Sequence, residues 1–387
     1  MQTTGSDRAN GLLDRKHHSV GDNTSKLVHQ FKFIRDRRWS LHQKHQLLSA
    51  LKSPDKIYAS SDAHLQSVLG SKFQRPHHGV DQKHLKKDLD WIKETQNAVI
   101  FYDDECYPTL LKQIADPPIA LFCRGNLALL KEPKIAIVGS RRPTKVGEIS
   151  TTTIACGLAE LGIVITSGMA LGIDAVAHRS VLKNREPTIA VMGAGLDIIA
   201  PARHRSLFHE IASHGLLISE YPLGVPASKY TFPKRNRIVS GLSFGVVIVE
   251  AAKKSGTLIT ARLANEQNRE VFVVPGSPLN PQYQGSHDLI RQGAILVDNA
   301  ENVVQGLAQP LQAELNSRQT QTEVLPCDNL KTQPVNALIN SIGYERTSLD
   351  KIISNSGLTA AEVSSILLEL ELKGHIAMVD GAYLRIR

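Results

Sequence analysis

Lys134-Ile135-Ala136-Ile137-Val138-Gly139-Ser140-Arg141 holds a short, unbroken apolar run that stops at a glycine, and Val146 to Leu161 then follow with helical spacing. A strand that is apolar throughout needs cover on both faces, as strands inside a parallel sheet do. A buried strand that breaks at a glycine and feeds a helix is also a common phosphate-binding device. The glycine admits close backbone approach, and the loop N–H groups and helix N-terminus point at the anion. Arg141 adds a fixed cationic fork at the mouth of such a nest. The alternative is an ordinary tight turn with a surface arginine. The dinucleotide fingerprint needs three glycines within six residues. Here the next glycine is Gly147, with Arg141, Arg142 and Lys145 between, so no nicotinamide or flavin cofactor is expected.

The same pattern repeats outward from this stretch. Strand-like runs fall at 134–138, 162–166, 188–192, 216–219, 246–250, 270–274 and 294–297, with amphipathic stretches at about 146–161, 173–184, 202–214 and 257–268. Strands alternating with helices predict a doubly wound, parallel, Rossmann-like α/β sheet whose ligands sit outside the carboxyl ends of the strands. A strand–helix–strand unit at 97–125 should dock on it.

The expected domains are a disordered segment at 1–26, a helical domain at 27–95, the core at 96–308, a Gln/Thr/Pro-rich linker at 309–333 and a module at 334–387. Leu47, Leu48, Leu51, Ile57, Leu65, Val68 and Leu69 are the candidate core of the helical domain. In the last module, helices are read near 335–342, 349–354 and 360–373. Ser348 and Thr359 are candidate caps, and Val363, Ile366, Leu367 and Leu370 form one face. A hairpin around Asp380-Gly381 completes a winged helix.

The chain has 45 Lys/Arg against 37 Asp/Glu, a net charge of +8. Residues 1–100 carry 17 Lys/Arg against 10 Asp/Glu, whereas 331–387 carry 6 of each. The excess favours a polyanion partner only where a motif supports it. No run approaches the roughly 18–20 apolar residues that span a bilayer. The polar N-terminus lacks a secretory core, and four scattered cysteines show neither metal-ligand nor disulfide spacing. The cytoplasm is the expected compartment.

Each strand end carries further signals. Ser167-Gly168 is followed by Gly172, Asp174 and His178, the last two on one helix face. They could serve a Ser167 nucleophile or be structural, and no nucleophile-elbow sequence accompanies them. Gly193-Ala194-Gly195-Leu196-Asp197 follows the third strand. A long excursion after the fourth contains Phe232-Pro233-Lys234-Arg235-Asn236-Arg237. Its cations suit phosphates and its aromatic a stacked base, unless it is a basic helix start with a core phenylalanine. Ser255-Gly256-Thr257 reads as a secondary anion nest.

Taken together these residues resemble the DNA-processing protein A (DprA/Smf) family. The resemblance rests on Val138-Gly139-Ser140-Arg141, Ser167 through Asp174 with His178, Gly193 through Asp197, and Leu217-Ile218-Ser219-Glu220-Tyr221-Pro222. It continues through Phe232 to Arg237, Glu250-Ala251, Ser255 through Thr260 and Val274-Pro275-Gly276, spanning roughly 97–305. The helical region would match the family's SAM-like domain, and the C-terminal module its winged helix. The resemblance implies a non-enzymatic mediator that protects incoming single-stranded DNA and loads RecA recombinase during natural transformation, with homodimerisation through the core and no metal or cofactor. It would place Gly139, Ser140, Arg141, Ser167, Gly168, Lys234, Arg235 and Asn236 in the DNA pocket, with Phe232 stacking on a base. Arg237 joins them as a cation of the same run. The chain departs from the family at Val146, where an aromatic is usual, and at Ala200 and His204 around Pro201.

Two other readings compete with this one. A nucleotide phosphoribohydrolase would need a glutamate just beyond its glycine loop, but Leu258-Ile259-Thr260-Ala261-Arg262 stands there. A duplex-reading winged helix would need a basic recognition helix, but Glu362, Ser364, Ser365 and Glu369 occupy its polar side. That module is therefore expected to be an accessory or protein-interaction element.

Overall fold

The computed structural model describes residues 20–70, 81–307, 347–356, 358–372, 376–379 and 382–385. They fall into two compact units divided near residue 320. The linker at 309–333, the helix expected at 335–342, and the turns at Gly357 and Asp380-Gly381 lie outside the described residues, as do 1–19 of the segment expected to be disordered.

The first unit is built on a nine-stranded sheet: β1 (Asn97–Phe101), β2 (Ala120–Gly125), β3 (Lys134–Gly139), β4 (Val164–Ser167), β5 (Thr188–Met192), β6 (Leu216–Ser219), β7 (Gly245–Val249), β8 (Glu270–Val273) and β9 (Ile295–Leu296). Their order is β1-β2-β6-β5-β4-β3-β7-β8-β9. β6 through β9 in that order are parallel, and β2 and β1 extend the sheet antiparallel at one edge. From β3 the chain winds outward through β4, β5 and β6, then returns to β7 on the other flank of β3. The order therefore reverses between β3 and β7, which is where such a sheet opens a crevice at its carboxyl edge.

β3 shows why the apolar run forms a central strand. Ile135 and Ile137 pack with α7 (Lys145–Glu160) and α8 (Ile173–Lys183), while Ala136 and Val138 pack on the other face with α10 (Thr231–Gly241) and α11 (Thr257–Glu266). Period-two alternation sends every second side chain to each layer. Burying each large one contributes roughly 1.5–3 kcal/mol.

Five helices precede the sheet: α1 (Val20–Arg35), α2 (Leu41–Leu51), α3 (Pro54–Ala59), α4 (Asp62–Leu69) and α5 (Gln82–Trp91). α1 begins ahead of the boundary expected at 27, so the polar stretch 20–26 is helical. Leu47, Ile57 and Leu65 are buried with Phe33 and Trp39, and Ile119 from the sheet unit joins them. Phe31, Leu85 and Trp91 pack with Phe122 of β2. The helices thus share apolar clusters with the sheet.

The basic segment after the fourth strand, for which a helix start was the alternative reading, is the first two turns of α10. Pro233 is tolerated there because the first-turn N–H groups have no intrahelical acceptor. α6 (Thr109–Lys112) and α9 (Arg205–His214) form within the unit at 97–125 and the stretch at 202–214, whereas α12 (Gln284–Arg291) and α13 (Ala300–Gln305) have no counterpart among the expected elements.

In the second unit, helices Leu349–Ser356 and Ala360–Leu372 accompany a sheet in which Ala382–Arg385 pairs antiparallel with both Ile376–Val379 and Thr347–Ser348. Val363, Leu367 and Leu370 are buried with Ile352, and Ile366 packs on them. Thr359 caps as expected: its Oγ1 donates to Glu362 Oε2 at 2.7 Å and accepts from Glu362 N at 3.4 Å.

Candidate nucleic-acid interface

The loop after β3 is pinned by its neighbours. A Cβ on Gly139 would lie 1.9 Å from Val249 O, so only glycine allows β3 and β7 to close up at this level. Ser140 N donates to Val249 O at 3.2 Å, and Ser140 O accepts from Ile173 N at 3.1 Å. Gly172, at φ +80°, approaches so near that a Cβ would meet Ser140 O at 2.2 Å. From this fixed turn Arg141 projects exposed, its guanidinium carbon 5.9 Å from the Phe232 ring centroid. That separation lies within cation–π range.

The next turn corrects the expectation that the N-terminus of α7 waits for a phosphate. Its anion is already present, supplied by the chain. The buried Glu250 carboxylate, just beyond β7, accepts from Thr144 N at 3.0 Å, from Thr144 Oγ1, and from Tyr283 OH at 2.9 Å. Thr144 in turn caps α7, accepting from Gly147 N at 3.1 Å. A Cβ on Gly147 would stand 2.5 Å from Glu250 Oε1, so that glycine makes room for the carboxylate and not for a ligand. Glu250 holds a left-handed backbone, φ 58°, a conformation kept only where the surroundings enforce it.

The facing wall is α10. Arg235 is 3% exposed, and its guanidinium donates to Gly168 O and Val191 O. A Cβ on Gly168 would fall 2.3 Å from Arg235 Nη1. Gly168 therefore seats the arginine. Burial pushes Arg235 down to about 10, with the nearby charge of Asp174 opposing the shift and that of Arg141 adding to it. The cation persists at neutral pH. Burial pushes the Asp174 carboxyl up, partly offset by Arg235 and by the amides of Gly168 and Ala170, which donate to it at 3.1 and 3.2 Å.

Between these walls, at the β3/β7 switch point, lies a cavity of ≈ 750 Å³. Gly139, Ser140, Arg141, Phe232, Arg235, Asn236, Ser255, Gly256 and Thr257 line it together. Thr257 Oγ1 donates to Gly139 O at 3.0 Å, joining the secondary nest to the first loop. Two lysines not singled out in the sequence also line it, Lys229 and Lys254. The signal was there: Lys254 immediately precedes Ser255-Gly256, and Lys229 lies three residues before Phe232. The lining holds four cations, Arg141, Lys229, Arg235 and Lys254, against one carboxylate, Asp174.

Four expected site residues are not in this lining. Ser167 is fully buried and donates to Ile137 O at 2.6 Å, bridging β4 to β3. Gly168 is covered by Arg235. Arg237 is 4% exposed and ion-paired with Glu220 and with Asp116, the latter at 3.0 Å. Lys234 is exposed but faces a different crevice. The Ser167–Asp174–His178 alternative dissolves in the same geometry. His178 Nδ1 meets Thr188 Oγ1 at 2.8 Å, and Thr188 Oγ1 itself donates to Ile165 O at 2.7 Å. His178 is thus engaged by Thr188, while Ser167 is bonded to Ile137 O and also lies beside the Asp174 carboxyl. Among the departures from the family pattern, Val146 is exposed, and His204 is buried with Nδ1 3.1 Å from Met169 O. Among the described residues no group of three or more His, Cys, Asp or Glu is placed to hold a metal ion.

Residues 98–308 match the family model described as DNA recombination-mediator protein A, and 330–382 match the DprA winged helix domain. Protein Smf of Escherichia coli is 42% identical over 307 residues, covering 79% of this chain and 82% of that protein. DNA processing protein DprA of Streptococcus pneumoniae is 43% identical over 232 residues, covering 60% and 80%. The X-ray structure of DNA processing protein A from Streptococcus pneumoniae superposes with a TM-score of 0.64 at 35% identity, covering 73% of this chain and 98% of that one. Matched over its sheet core by the family model and aligned over most of the length of these relatives, the chain belongs to the DNA recombination-mediator protein A (DprA/Smf) family.

Proposed function

We propose that the chain is a single-stranded DNA-binding recombination mediator that holds the strand by its phosphates in the β3/β7 crevice. The observation that carries this reading is the imbalance of four cations to one carboxylate in a recess of ≈ 750 Å³, far larger than a single phosphate fills. A single strand can lay its backbone into such a recess, whereas a duplex is a stiff cylinder. Phe232 at the lip and Tyr230, 74% exposed, offer ring faces to unstacked bases. The crevice acts as a binding surface and not a catalytic centre, because the carboxylates beside it, Asp174 and Glu250, are engaged by backbone and hydroxyl donors.

As a mediator, the protein shelters incoming strands and hands them to RecA recombinase, working as a homodimer joined through the Rossmann-like core, in the cytoplasm and without cofactor. Among the described residues no helix is long and apolar enough to cross a membrane. The direct test is binding to single- and double-stranded oligonucleotides over a salt series. Tighter binding of the single strand is expected, with log affinity falling linearly against log salt. Equal affinity for a blunt duplex, or no salt dependence, would remove the reading.

A further inference from the structure

A second crevice, of ≈ 390 Å³, lies where the helical region meets the sheet unit. Arg37, Trp39 and Lys44 contribute from the α1–α2 side, and Glu220, Tyr221 and Lys234 from β6 and α10. Its carboxylates are already neutralised. Asp36 accepts from Arg38 Nε at 2.6 Å and from Tyr58 OH at 3.2 Å, and Glu220 is ion-paired with Arg237. Arg35, which also lines it, is spent on Asp88 Oδ1 at 2.7 Å and Leu223 O at 2.8 Å.

Three cations remain without a carboxylate. Arg37 and Lys234 are exposed and have no ion-pair partner among the described residues. Lys44 is only 8% exposed, with its ammonium donating to Ile34 O at 2.8 Å and lying 5.6 Å from the Phe33 ring centroid. Burial pushes Lys44 down to about 8; the charge of Lys234 adds to the shift and that of Asp36 opposes it. Asp36 thus offsets part of the cost of burying this ammonium, and a further anion between Lys44 and Lys234 would relieve their mutual repulsion. The geometry connects this crevice to the first. On α10, Pro233, Arg235 and Asn236 line the β3/β7 crevice while Lys234 lines this one, so one helical turn is the shared wall.

We infer that Arg37, Lys44 and Lys234 form a second phosphate subsite on the same path, so that a strand leaving the β3/β7 crevice crosses the first turn of α10 and continues onto the helical region. The inference rests on the single-stranded DNA reading of the first crevice. It gives a role to the basic excess of the N-terminal hundred residues. An acidic peptide could recognise the same three cations, but the shared wall with the first crevice favours a continuous strand.

The test uses the full chain and oligothymidylates of about 6 and about 20 nucleotides, one within and one beyond the roughly 4–16 nucleotides of known single-strand sites. Arg37→Glu alters only an exposed side chain, and Lys44→Met is the buried companion. Each is expected to weaken the longer strand about fivefold and to lower its salt slope by about 0.7, leaving the shorter strand unchanged. Unchanged long-strand affinity in Arg37→Glu, with short-strand binding intact, would overturn this inference alone. So would an Arg37→Glu chain impaired only in capturing a protein partner, since the crevice would then belong to an acidic peptide. Failure of the wild-type chain to bind either length would overturn the first-crevice reading and this one with it.

Discussion

Arg141 and Arg235 face the same crevice from opposite walls and do different work. Arg141 stands in solvent on a turn held by backbone bonds of Ser140 and by the Thr257 and Ser140 hydroxyls, so the turn does not need its charge. Arg235 is buried on α10, and its guanidinium satisfies two carbonyls and balances Asp174. An exposed guanidinium keeps its hydration and can exchange it for a phosphate. A buried one has already exchanged water for protein, and its removal strands every group it served. The comparison teaches that two arginines lining one site can have opposite effects on stability and affinity.

The largest effect should come from Arg235→Ala. Leaving Asp174 and two buried carbonyls without a cation should cost roughly 3–5 kcal/mol in urea unfolding. Arg235→Lys should not restore it, because a point ammonium cannot reproduce the planar fork. A loss below about 1 kcal/mol would make Arg235 a ligand contact like Arg141 and erase the contrast.

A second probe of the buried side is pH. Burial, joined by the charges of His204, Arg235 and Arg179, holds His178 down at about 3 from an ordinary 6.5. Below about 6.5 the unfolded chain takes up a proton that the folded chain refuses. Stability is therefore lost as pH falls through that window, by about 2 kcal/mol from this group near pH 5. His178→Asn should flatten that part of the profile, and an unchanged slope would place the proton elsewhere.

The smallest effect is expected at Arg141. Arg141→Ala should leave stability within about 0.5 kcal/mol of the parent. It should weaken single-strand affinity about tenfold and reduce the salt slope by about 0.7. Affinity and slope both unchanged would remove the exposed wall from the site.

The sheet was legible because its core strands are short, mostly apolar runs, and β3, β4, β5 and β6 stop at or just before glycine or serine. Those patterns depend on neighbours in sequence. The Gly139 turn and the Ser255-Gly256-Thr257 nest were legible for the same reason. α10 was legible only as an alternative, because its first turns carry Pro233 and a basic run in place of an apolar stripe. The burial of Arg235 and Arg237 was hidden as well, since their partners Asp174, Val191, Glu220 and Asp116 come from distant parts of the chain. The role of Gly168 was misread on the same account: a glycine that admits a side chain looks, in sequence, like one that admits a ligand.

The carboxylate of Glu250 at the head of α7 has a consequence for life among free nucleotides and inorganic phosphate. A vacant, amide-rich helix end would collect these small anions and would have to be cleared before a strand could enter. With an internal carboxylate tethered there, the head of α7 is closed to them. What remains open is the Ser255-Gly256-Thr257 nest together with cations on side chains from several elements, which a strand can engage at once. On the single-strand reading proposed above, Glu250 would thus favour polymer over metabolite without itself meeting DNA.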